Sequence, residues 1–218
     1  MIDKPIENSS EKSWVYNALL LSVIWVVVCW IFYLTDDFLG VGLKKFGLIP
    51  RELSGLTGIL SMAFLHSSWD HLIQNSLAIL VLNSLLFYFY RPLSFRVFVL
   101  AFFITPVLLW LVGRNGNHIG ASALLYFEFG FMVFSGFIRK NPTLMRVALV
   151  VILYYGSLVW YVFPIDRNIS WEGHACGLFA GFILSWVYKD QGPKRRIYQY
   201  EAEPELPDDE NAYWKIPE

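Results

Sequence analysis

The chain has 218 residues, of which 56% are hydrophobic, 18% aromatic and only 16% charged, against roughly 25% charged in ordinary soluble domains. A soluble globule could not cover its surface with so few charges, and a formal net charge of -1 offers no basic footprint for nucleic acid. Disorder, collagen and a disulfide scaffold are excluded as well, because Cys29 and Cys176, the two cysteines, lie inside long apolar runs, as buried hydrophobes do. The composition is that of an all-α polytopic membrane protein.

Six apolar stretches follow one another along the chain, at 14–34, 72–90, 97–112, 119–138, 144–163 and 173–188. A spanning helix needs about 20 residues. Four stretches meet that length. The third and sixth are short and reach it by taking in Leu93 to Arg96, whose arginine can snorkel, and Trp171. The first stretch follows a polar start with Lys4 and Lys12. It exceeds the roughly 7–15 residues of a signal-peptide core, which predicts a retained helix. The connection 35–71 is rich in Gly and Leu, and one this long is expected to be functional or to carry short helices of its own, with an amphipathic segment in the membrane interface. The segment 189–218 holds four prolines and eight acids, the composition of a solvated, poorly ordered tail. The predicted organisation is an N-terminal segment at 1–13, a six-helix core at 14–188 and a tail at 189–218.

Lys and Arg in the loops set the orientation. With six spans both termini share a side, and that side collects twelve basic residues against five on the other. Both termini are therefore predicted to be cytoplasmic, with the loops between helices 1–2, 3–4 and 5–6 facing outward. The lack of an Arg- and Ser-rich transit leader favours a bacterial plasma membrane.

A polar side chain inside a bilayer is costly and carries a functional hypothesis. His71 and Asn75 are four apart at the outer end of helix 2, on one helical face, where interhelical hydrogen bonding is the plain alternative. Gly120-Ala121-Ser122-Ala123 opens helix 4, so Ser122 falls near a helix start, where free N–H groups favour negative charge, though a cap or packing serine is commoner. Helix 6 carries His174, Gly177 and Gly181 as one stripe. The two glycines let a neighbouring backbone approach and would hold the histidine tightly, as they would a packing histidine. Together the three sites lie at one depth on one side. They supply a hydroxyl nucleophile and a base, with donors for an oxyanion. No acid need complete a triad if packing on the glycine stripe orients the imidazole.

Other polar residues have blander readings. Glu128 lies six residues after Ser122 and points elsewhere, with Asn83 and Ser84 on helix 2 as candidate partners. Asn117 and His118 are expected to edge the cavity. Glu172, adjacent to His174 but one, diverges from it around the helix and is discounted as a third catalytic member.

These motifs resemble those of the rhomboid intramembrane serine proteases. The similarity covers about 14–188 and rests on His66-x4-His71-x3-Asn75, on Gly120-Ala121-Ser122 with Tyr126 a turn below, and on His174-x2-Gly177-x3-Gly181. The resemblance implies a six-helix rhomboid-like bundle with Ser122 as nucleophile and His174 as base. It further implies that Tyr126 stacks on His174, that the Ser122 N–H, His71 and Asn75 form the oxyanion hole, and that His66 shapes the loop beside it. It implies an endopeptidase that cleaves transmembrane segments of other membrane proteins near their outer ends, in the lipid bilayer, with no cofactor and no metal. Three positions depart from the family pattern. Ala123 stands where Gly is usual, the Trp-Arg pair of the first outer loop is missing, and Asn83-x3-Phe87 replaces a Gly-x3-Glu.

Three other readings compete. An inactive rhomboid-like protein would hold client transmembrane helices without cutting them, and Ala123 is the mark in its favour. A transporter would show paired repeats or broken helices, which the sequence does not display. A metalloenzyme using His66, His71, His118 and His174 would need three converging ligands, and no His-Glu-x-x-His is present.

Overall fold

The structure, a computed structural model, describes residues 9–166 and 169–193. Segments 1–8 and 194–218, which hold most of the expected N-terminal segment and tail, lie outside the described residues. Six long helices make up the described bundle: α1 (Ser9–Leu39), α2 (Trp69–Phe89), α3 (Ser94–Val112), α4 (Ser122–Ile138), α5 (Pro142–Tyr155) and α6 (Trp171–Val187). No strand occurs among the described residues, and one isolated β-bridge pairs Leu48 with His118.

α1 continues past both ends of its apolar stretch, from Ser9 to Leu39. It stops where Gly40 takes a φ of 61°, a left-handed conformation that glycine adopts without penalty. The Asp36 side chain then accepts from the Leu43 N–H and fastens the turn. Along α1, Ala18, Ser22, Trp25, Cys29 and Tyr33 are buried, spaced as one helical stripe, while Ile24, Val27 and Ile31 face outward. The Ser68 hydroxyl caps α2 by accepting from the His71 N–H at 3.2 Å. Lower down, α2 widens into a π-helical turn at Ile79–Asn83. Asn141 caps α5 with Pro142 in its first turn, a proline position that costs no hydrogen bond. α5 does not continue to residue 163 as an α-helix; it tightens at Gly156 into a 3₁₀ segment, Gly156–Val162.

Among the described residues four spans are long and apolar enough to cross a bilayer: α1, α2, α3, and α5 with its extension. The short helices are α4 and α6, at 17 residues each, or about 26 Å at 1.5 Å per residue, against a hydrocarbon core of ~30 Å. The third reaches 19 residues through the expected N-terminal extension, beginning at Ser94. The fourth is short because residues 118–120 are claimed by the loops. The backbones of His118 and Leu48 pair at 2.8 and 3.0 Å, and the Gly120 N–H donates to the Met62 carbonyl at 2.8 Å.

The short helices occupy the centre. α4 is buried along almost its whole length and packs most extensively on α6. Glycine makes this approach possible. A Cβ on Gly177 would lie 2.0 Å from the Ala123 carbonyl oxygen, and one on Gly181 would lie 2.4 Å from that of Phe127. Around this seam the outer helices present large apolar side chains such as Phe95, Val112 and Leu153 to the exterior. An apolar shell around a partly polar centre is the surface of an integral membrane protein.

The 40–68 connection folds as short helical pieces, Leu43–Phe46 and Leu53–Phe64, and docks on the end of α3. The Arg51 guanidinium donates to the Gly113 carbonyl at 2.7 Å and to Asn115 Oδ1 at 2.9 Å. Trp110 Nε1 donates to the Glu52 carbonyl at 3.0 Å.

Candidate active site

His174 lies in the first turn of α6, at the upper end of the bundle, meaning the end where α2, α4 and α6 begin. Its Nδ1 is 2.9 Å from the Tyr161 carbonyl oxygen, and its Nε2 is 2.9 Å from Ser122 Oγ. A carbonyl can only accept, so Nδ1 carries the ring proton and donates it. In the neutral ring Nε2 is then the acceptor, aimed at the Ser122 hydroxyl. The Tyr126 ring stacks on the imidazole with centroids 4.0 Å apart and planes 6° from parallel. Its hydroxyl donates to the Leu158 carbonyl at 2.7 Å. Both carbonyls come from the 3₁₀ extension of α5. The glycine stripe, expected to orient the imidazole by packing, instead brings the α4 and α6 backbones together. A directed hydrogen bond and a stacked ring fix the histidine.

Ser122 is the first residue of α4, which no side chain caps, so the N–H groups of its first turn are not covered by a capping side chain. Gly120 precedes it with a φ of 119°. A Cβ there would lie 2.6 Å from His71 Cε1, 2.7 Å from His71 Nε2 and 3.5 Å from Asn75 Nδ2. The bare glycine thus allows two side-chain nitrogens of α2 to converge beside the serine. Asn75 Nδ2 is buried with no hydrogen-bond partner among the described residues. Ser67 Oγ lies 3.1 Å from His71 Nδ1, and a hydroxyl donating there leaves the ring proton on Nε2, a donor on the serine side.

His66 stands behind this pair, its ring edge-on to that of His71 at 5.1 Å, with Nδ1 3.3 Å from the Phe64 carbonyl. Burial, and secondarily the neighbouring His71, lowers its pKa to about 4. It is therefore a neutral wall at ordinary pH.

His118 and the Asn83–Ser84 pair stand differently from the sequence reading, whereas Glu172 points away from His174 as that reading has it. His118 is buried, not at a cavity edge. Its Nε2 donates to the Arg114 carbonyl at 3.0 Å and its Nδ1 lies 2.6 Å from Ser170 Oγ. Glu172 turns away from His174 and pairs with Arg114, Nε to Oε1 at 3.4 Å. Asn83 and Ser84 bond Ser22, at 3.1 and 2.8 Å, rather than Glu128, and neither Glu128 carboxyl oxygen has a hydrogen-bond partner among the described residues. Sequence reasoning missed the Tyr161 and Leu158 carbonyls, for which no sequence signal exists, and the Arg114–Glu172 pair, which two unlike charges at helix-end loops could have suggested.

A polytopic helical membrane protein with a serine and a histidine joined at the upper end of its two central helices defines a narrow class. The chain matches the Rhomboid domain family over residues 54–191, a span that contains every residue of the site. It belongs to the rhomboid family, whose members are generally intramembrane serine proteases. It is also similar to curated proteins of mycobacteria. It is 28% identical over 204 residues to the uncharacterized protein Rv1337 of Mycobacterium tuberculosis, covering 87% of this chain and 82% of that one. With the uncharacterized protein ML1171 of Mycobacterium leprae it shares 24% identity over 200 residues, covering 87% and 78%.

Proposed function

We propose that this chain is an intramembrane serine endopeptidase that cleaves transmembrane segments of other membrane proteins through a Ser122–His174 dyad. The observation that carries the reading is the 2.9 Å contact from His174 Nε2 to Ser122 Oγ with Nδ1 committed to the Tyr161 carbonyl. A base must be within reach of the nucleophile and held in the right tautomer. Here the carbonyl does the work that a carboxylate does in a triad.

In the proposed reaction His174 Nε2 takes the Ser122 proton as Oγ attacks the scissile carbonyl carbon. The oxyanion that forms is met by the Ser122 N–H, Asn75 Nδ2 and His71 Nε2. Collapse breaks the C–N bond, and His174 returns the proton to the leaving amine. Water, deprotonated by the same nitrogen, then hydrolyses the acyl-serine ester. Tyr126 keeps the imidazole in plane throughout, and His66 backs His71. Acid slows the reaction, because a proton on Nε2 removes the base. The shortness of α4 and α6 supports a recessed site reached from the upper end, and the basic-residue count supports that end facing outward, with both termini cytoplasmic in a bacterial plasma membrane.

The test is labelling of the purified protein with a fluorophosphonate probe, alongside cleavage of a transmembrane peptide. Ser122→Ala and His174→Ala should each abolish both signals while leaving a folded protein. Wild-type protein that is folded but neither labels nor cleaves would overturn the assignment.

A further inference from the structure

The loop leading to Ser122 and the turn leading to His174 are joined by a set of polar contacts that the reaction itself does not use. Arg114 reaches across from the end of α3, with Nη2 donating to the Ile169 carbonyl at 2.7 Å and Nε 3.4 Å from Glu172 Oε1. His118 donates from Nε2 to the Arg114 carbonyl at 3.0 Å, which leaves Nδ1 to accept from the Ser170 hydroxyl at 2.6 Å. Ser170 occupies the N-cap position of α6 but makes no cap hydrogen bond there. Its hydroxyl goes to His118 instead, and the acid of the first turn, Glu172, complements the helix start. The Ser170 carbonyl accepts the His174 N–H at 3.2 Å, so a shift at residues 170–172 carries the imidazole with it.

We infer that Arg114, His118, Ser170 and Glu172 form a latch that sets the distance between His174 and Ser122, and that they act as positioning residues. This rests on the dyad reading above. The fold does not need the latch, because the glycine seam already holds α4 to α6 below it. The seam fixes the helices below the first turn of α6, where the base sits, and the latch ties that turn to the segment entering α4. Loss of the latch therefore lets the first turn of α6 shift relative to α4 without opening the bundle, while the Tyr161 carbonyl and the Tyr126 ring still hold the plane of the imidazole.

The experiment uses the full chain in detergent, with fluorophosphonate labelling rates, kcat and KM on a transmembrane peptide, and melting midpoints. Arg114→Ala and Glu172→Gln should each lower kcat and the labelling rate about tenfold, since misplacing reacting groups by about 1 Å costs up to 10²-fold, with KM and the melting midpoint little changed. The double variant should be no slower than the slower single, because both break one contact. Arg114→Lys, which keeps the charge, should recover part of the rate. A kcat within about twofold of wild type, or losses that multiply in the double variant as independent sites do, would overturn the latch. So would a rate that falls only in step with the melting midpoint. Wild-type protein that still labels at Ser122 confines such a failure to the latch; wild-type protein without Ser122-dependent labelling removes the dyad reading and the latch with it.

Discussion

Two groups of polar side chains lie inside this bundle, and their organisation differs. At the upper end, Ser122, His174, His71 and Asn75 come from three helices and leave capacity open toward one point, including Asn75 Nδ2, which is buried without a hydrogen-bond partner among the described residues. Near the middle, Ser22 bonds Ser84 and Asn83 and also back-bonds the Ala18 carbonyl at 2.9 Å. Apart from Asn83 Oδ1, which has no hydrogen-bond partner among the described residues, that second group spends its hydrogen bonds holding α1 to α2. Burial of a polar residue in a membrane bundle is thus a poor guide to chemistry by itself. What separates a site from a staple is whether donors and acceptors are consumed by one another or held ready for something else.

The sharpest way to break that contrast is to remove the open donors. Asn75→Ala and His71→Ala should each lower kcat by about 10²–10³, the cost of one oxyanion donor, with little change in KM. Because each leaves the other donor and the Ser122 N–H in place, neither should reach the complete loss expected for Ser122→Ala. Steady-state cleavage in detergent reads the difference. Rates near wild type in both variants would mean that the upper group, like the middle one, only packs.

How much of this was legible in the sequence follows the same division. Ser122, His174, His71, Asn75 and the glycines announce themselves because helical spacing places side chains with known chemistry on known faces. The Tyr161 carbonyl could not, since every residue has one and only the fold says which is aimed at an imidazole. Arg114 and Glu172 are opposite charges far apart in sequence, and their pairing depends on a loop conformation that an apolar-run reading does not address. The start of α4 was misplaced because Ile119 and Gly120 extend the apolar run, while a backbone bond from Gly120 to Met62 takes them out of the helix. The end of α5 was hidden for a related reason. The residues 156–163 are apolar enough for lipid in either helical form, so composition does not register the change to 3₁₀ winding.

A buried acid outside both groups offers the converse test. Glu128 is buried with both carboxyl oxygens unpaired among the described residues, and such a group costs stability, about 1–3 kcal/mol. Replacing it with an apolar residue of similar volume should therefore help. Glu128→Leu is expected to raise the melting midpoint, while Asn83→Ala, which removes the hydrogen bond from Asn83 Nδ2 to Ser22 Oγ, should lower stability by about 1 kcal/mol. Both should cleave peptide at rates within about threefold of wild type, the spread that a change of under 1 kcal/mol allows. A tenfold loss in Glu128→Leu would extend the functional region down α4 and erase the distinction between the groups.

The smallest effect is expected where the sequence departs most visibly from the family, at Ala123. A methyl group beside the nucleophile could be read as the mark of a protein that binds without cutting. The structure gives the methyl a place. Ala123 is buried against α6, and Gly173 opposite it has no side chain, so that even a Cβ built there would stand 3.6 Å from the Ala123 Cβ. The same Cβ would lie 2.9 Å from Ser170 Oγ, so a side chain at 173 would push that hydroxyl aside, and the bare glycine leaves room for the Ala123 methyl. Alanine also keeps the backbone N–H and suits a helix better than glycine by about 1 kcal/mol. Ala123→Gly should therefore lose a little stability and change kcat by no more than about threefold, because it removes neither a member of the dyad nor one of the three oxyanion donors. An increase of tenfold or more in the glycine variant would show that the methyl restrains the dyad, and would turn the upper group from a working site into a deliberately blunted one.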